Sequence, residues 1–106
     1  MKTPQDLRQL LQHKWGYAYD VQLRRFRHRI YFQVMWRYLE QASFPLSEQE
    51  YLAHLQEVLL YLYEWQVVDQ VWDWLEQTRE RPRLGRAVSL PLSLGQRAGE
   101  WLGEPG

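Results

Sequence analysis

The chain has 106 residues, 13 Lys and Arg against 13 Asp and Glu, and no cysteine. That length suits one domain, residues 1–106, with a core that needs no disulfide or metal to close. The missing thiols exclude disulfides, thiolate zinc sites, Fe–S clusters and a cysteine nucleophile, and no segment approaches the ~20 apolar residues of a membrane span.

The zero net charge hides an uneven distribution. Residues 1–37 hold eight Lys/Arg against two Asp/Glu, residues 38–80 hold one against nine, and residues 81–106 hold four against two. Such a chain either neutralises itself on folding or presents two poles to a partner. Eleven of the 13 bases are arginine, the cation better suited to bidentate and stacked contacts.

In chain order, "TPQDLRQLLQHKWG" predicts a helix. Thr3 can cap, Pro4 suits the first helical position, Asp6 completes a capping box and Gly16 suits a left-handed stop. Leu7, Leu10 and Leu11 give it an apolar face. The segment has no uninterrupted apolar run of signal-peptide length, so a cytoplasmic location is expected. Contact with a membrane surface stays open.

Residues 19–26 and 29–36 predict a hairpin in which paired positions sum to 55. Tyr19 then faces Trp36, Val21 faces Val34, Leu23 faces Phe32 and Arg25 faces Ile30. The other face pairs Asp20 with Met35, Gln22 with Gln33 and Arg24 with Tyr31. A helix through Tyr31, Val34, Met35, Tyr38, Leu39 and Ala42 competes, but β-branched and aromatic residues favour strand.

"PLSEQEY" starts a second helix, with Ser47 and Glu50 as a capping box and Leu46 and Tyr51 as a staple. Leu52, Leu55, Val58, Leu59 and Leu62 face inward. Past Trp65 and Gln66, Val68, Val71, Trp72 and Leu75 continue at helical spacing. One kinked helix and a helical hairpin both fit, since no Gly or Pro decides. After the basic loop "RERPRLGRAV", Val88, Leu90, Leu92 and Leu94 alternate as a strand that Pro91 confines to an edge. Ala98, Trp101 and Leu102 suit a short last helix, with 103–106 a frayed tail. The expected fold is therefore α+β, order αββααβα: a three-stranded antiparallel sheet, hairpin plus C-terminal edge strand, packed against helices.

Chemistry is sparse. There is no phosphate-binding glycine loop and no serine nucleophile elbow. Glu50, His54 and Glu57 share a helix face and Asp69, Asp73 and Glu76 another, but solvated faces account for both. No catalytic residue, metal site or cofactor is assigned, and a non-enzymatic role is expected. Two arginine clusters remain: Arg24, Arg25, Arg27, Arg29 on the hairpin and Arg81, Arg83, Arg86 in the loop. If they converge they form one cationic rim, with Tyr31 and Trp74 as aromatic anchors, Trp74 because Trp72 two positions earlier takes the core side. Arginine, tyrosine and tryptophan are the usual anchors of protein interfaces. A protein partner is the first expectation, RNA the second, and a small enzyme with an unrecognised site the third.

The motifs "YDVQLRR", "QVMWRYLEQASFPLSEQEYL" and "RPRLGRAVSLPL" resemble an uncharacterised domain-of-unknown-function family of cyanobacteria and chloroplast-bearing eukaryotes, over roughly residues 3–102. The resemblance implies a small α/β arrangement and a photosynthetic setting, bacterial cytoplasm or plastid stroma, with assembly or regulation as the role. It brings no activity, cofactor or catalytic residue to transfer.

Overall fold

Two capping boxes set the helix starts. In the computed structural model, which describes residues 1–94, Thr3 accepts from the Asp6 amide while the Asp6 carboxylate accepts from the Thr3 amide. Pro4 comes next as the first residue of α1 (Pro4–Trp15), and Gly16 closes it at φ 89°. These bonds hold the Asp6 carboxyl below its usual range, the backbone bond to Thr3 contributing most. Ser47 and Glu50 repeat the arrangement at the start of α2 (Glu48–Glu64).

The expected hairpin forms. Strands β1 (Tyr19–Phe26) and β2 (Arg29–Tyr38) pair with Gln22 opposite Gln33, Leu23 opposite Phe32, Arg24 opposite Tyr31 and Phe26 opposite Arg29. The helical alternative for this stretch does not occur. The register departs from the expectation only at the base. Tyr19 faces Tyr38 rather than Trp36, across an irregularity between Tyr19 and Val21. The shift seats Tyr38 among other rings, stacked on Tyr17 at 4.3 Å and edge-on to Tyr19 at 5.6 Å. It also brings the Glu40 carboxylate to the Ala18 amide.

Leu55, Val58, Leu59 and Leu62 are buried as expected, and only in the first turn does the buried face differ, with Tyr51 fully buried and Leu52 only partly. The Tyr51 hydroxyl donates to the Tyr19 carbonyl at 2.8 Å. Gln66 and Val67 decide between one kinked helix and two helices. Gln66 is left-handed at φ 59°, its amide bonds to the Tyr63 carbonyl, and the Val67 amide bonds to the Leu62 carbonyl. That is a Schellman motif. It ends α2 and lets α3 (Val68–Gln77) start as a separate helix, with Val68, Val71, Trp72 and Leu75 buried.

Strand β3 (Val88–Pro91) adds to β2 on the side away from β1, so the sheet order is β1-β2-β3. Val88 faces Val34 and Leu90 faces Phe32. The Leu92 amide bonds to the Ile30 carbonyl, so by alternation Pro91 points its nitrogen away from the ladder and removes no bond. One sheet face, with Val21, Ile30, Phe32, Val34 and Val88, is buried. The other carries Gln22, Arg24, Tyr31, Gln33 and Ser89. The expected last helix and tail lie outside the described residues.

Candidate functional site: a basic hairpin tip

The solvent side of the hairpin is ordered in rows. Gln22 donates to Gln33 at 2.7 Å and Gln33 donates to Ser89 at 2.9 Å, an amide–hydroxyl chain across all three strands. Next toward the tip Arg24 lies opposite Tyr31, and beyond it Phe26 lies opposite Arg29. Guanidinium and ring alternate diagonally on one surface. Arg24, Phe26, Tyr31, Gln33 and Ser89 line a shallow depression of about 290 Å³.

Residues 24–29 are all exposed, and Phe26 keeps 52 % of its surface in water. Among the described residues Arg24, Arg25, Arg27 and Arg29 make no ion pair. Pairs form elsewhere, between Arg8 and Glu48 at 3.4 Å and between His54 and Asp20 at 3.6 Å. Among the described residues no carboxylate of the helices pairs with these four arginines. Arg27 lies 5.3 Å from the centroid of the Phe26 ring and adopts φ 58°. A left-handed residue with a Cβ is strained by roughly 1–2 kcal/mol, which glycine would avoid.

The second cluster is elsewhere. Arg83 and Arg86 exchange backbone bonds across a tight turn with Gly85 at φ 77° and Leu84 almost wholly exposed. Arg81 reaches toward Tyr19, partly offsetting the burial that raises that phenol's pKa. Val88 pairs with Val34, five residues along β2 from Arg29, or about 17 Å at ~3.4 Å per residue. Arg86 precedes Val88 and so lies farther from the tip. The single rim expected from sequence is divided: antiparallel pairing places the loop arginines at the end of the sheet remote from the hairpin turn. Trp74 is also apart from Tyr31. It packs edge-on against Phe32 at 6.2 Å, and Phe32 points to the opposite face from Tyr31.

Phe26 belongs to this surface although sequence alone did not single it out. Its parity with Gln22 and Arg24 was the available signal. Near the hairpin base, His54 Nε2 lies 2.6 Å from the Val21 carbonyl. Burial raises the Asp20 carboxyl pKa, with the neighbouring His54 pulling against it. Glu50 is engaged in its cap, and among the described residues no group of His and acids is arranged to hold a metal. No helix among them is long and apolar enough to cross a membrane.

The fold and this surface define a small α+β domain with an exposed, arginine-rich β-hairpin. The chain belongs to the DUF3067 family, a domain of unknown function, which its family model matches over residues 5–102. It is similar to the Alr2454 protein of the cyanobacterium Nostoc sp. strain PCC 7120, known from a solution NMR structure. The two are 58 % identical with a TM-score of 0.85, covering 95 % of this chain and 97 % of that one. Among curated proteins no match is found.

Proposed function

We propose that this chain is a non-enzymatic docking module that recognises an acidic protein partner through its hairpin tip, in the cytoplasm of a photosynthetic organism or its plastid equivalent. The observation that carries the reading is Arg27. The fold would be served better by glycine at its left-handed position, yet a cation stands there among three others that, among the described residues, have no carboxylate partner. Exposed arginine beside the exposed Phe26 ring and the half-buried Tyr31 ring is also the composition of interface anchors. RNA is the second reading, favoured by the ring-and-guanidinium pattern of Phe26, Arg29, Tyr31 and Arg24 on a sheet surface.

Arg27→Gly separates fold from function. The variant is expected to melt higher, through relief of about 1 kcal/mol of turn strain, and to lose protein that the wild type captures by crosslinking in a phototroph extract. Unchanged capture by both Arg27→Gly and Arg24→Glu would refute the docking reading. Capture that disappears on ribonuclease treatment would transfer it to RNA.

A further inference from the structure

The two edges of the sheet are treated differently. At β3, Pro91 removes an outward donor, and Gln70 of α3 bonds the Ser93 amide at 3.1 Å and lies 3.4 Å from the Pro91 carbonyl. At β1, α2 covers only the base: Tyr51 takes the Tyr19 carbonyl and His54 meets the Val21 carbonyl. The His54 contact shows that Val21 turns its carbonyl away from β2. Residues two apart in a strand share that direction, so Leu23 and Arg25 also direct N–H and C=O outward. Among the described residues nothing bonds them. This open edge lies beside Arg24, Arg25 and Arg27 and carries no proline, and its charges oppose pairing with another basic strand but not with an acidic one.

We infer that the open edge of β1, from Leu23 to Phe26, accepts an extended acidic segment of the partner as a fourth strand. The inference rests on the docking reading and gives its mode. Main-chain pairing supplies the attachment and the flanking guanidinium groups supply the selection for carboxylates. A second copy of this chain is a poor occupant, because edge-to-edge pairing would bring Arg25 and its neighbours against their own counterparts.

The test is amide hydrogen exchange on the full chain with a synthetic peptide of alternating glutamate and valine. Exchange at Leu23 and Arg25 is expected to slow about tenfold or more at saturation, while Gln22 and Arg24, already bonded to β2, are unaffected. Arg25→Pro, which deletes an outward donor together with one guanidinium, is expected to weaken the peptide about tenfold more than Arg25→Gln, which deletes the charge and keeps the donor. An equally charged peptide of alternating glutamate and proline should give no protection, since proline cannot build the ladder. Peptide binding that leaves Leu23 and Arg25 unprotected would overturn the edge mode, and partner capture sensitive to Arg24→Glu would then show the docking reading still standing. No binding of the glutamate–valine peptide would overturn it too. Protection that rises with protein concentration alone would assign the edge to a second copy. Binding of polyuridylate without edge protection, in place of the peptide, would assign the surface to RNA.

Discussion

Tyr51 shows how much one side chain settles. Its ring is fully buried in the core, and its hydroxyl is the cap on the first outward carbonyl of β1. Tyr51→Phe would keep the packing but orphan the Tyr19 carbonyl, at a cost of about 1–3 kcal/mol, readable as a lower urea midpoint with an unchanged slope. Burial drives the Tyr51 phenol far above its usual pKa, with Asp20 and Glu40 adding to the rise. The neutral form is thus favoured by the fold. Its contribution is whole below the unfolded phenol's value of about 10 and is lost as pH rises above that. Alkaline titration followed by phenolate absorbance should therefore show Tyr51 ionising only with unfolding, a step absent in Tyr51→Phe. At sequence level Tyr51 reads as a staple residue, because helical spacing tells which residues share a face but not which residue of the first turn the core takes in.

The boundary between α2 and α3 is the clearest case at the scale of an element. Both helices are legible from periodicity and from the Ser47–Glu50 box. Their separation is not, because the left-handed position is filled by Gln66 instead of glycine. Local propensity there is weak, and the turn persists because Leu62 and Val67 are both buried beside it. Gln66→Gly should accordingly stabilise the chain by about 1 kcal/mol, seen as a higher melting temperature with unchanged circular dichroism. The hairpin is the opposite case. Alternation of Val21, Leu23, Ile30, Phe32 and Val34 specifies the register over most of its length, since a slip by one residue would put Arg24 and Gln22 in the core. It fails only beyond Val21, where the rings of Tyr17, Tyr19 and Tyr38 pull the pairing two residues along β2.

For the whole molecule, the consequence is two basic surfaces. The hairpin arginines sit at one end of the sheet and Arg81, Arg83 and Arg86 at the other, with the aromatic cluster of Trp15, Tyr17, Tyr19 and Tyr38 between α1 and that second end. Trp15 ties the loop there through its indole N–H to the Glu80 carbonyl at 3.2 Å. Sites this far apart act additively. Arg83→Glu is expected to leave affinity for the glutamate–valine peptide within about twofold, while Arg27→Glu weakens it about tenfold, both read by isothermal titration. A comparable loss from Arg83→Glu would mean that the two ends act as one surface after all.

The α+β class, the three-stranded sheet, the two capped helix starts and the hairpin parity were all legible in the order of residues, and with them the exposure of Arg24. Each comes from a short-range rule: capping offsets, a period of two, and the inability of Pro91 to sit in a central strand. Arg25, on the core-facing parity, is exposed because it lies beyond the end of the core. Three features came only from the packing of the folded chain. The loop arginines are remote from the tip, Trp74 lies on the far side of the sheet from Tyr31, and α2 stops covering β1 after Val21. Those depend on where separate elements meet, and no spacing along the chain encodes the distance between residues that contact through a shared core.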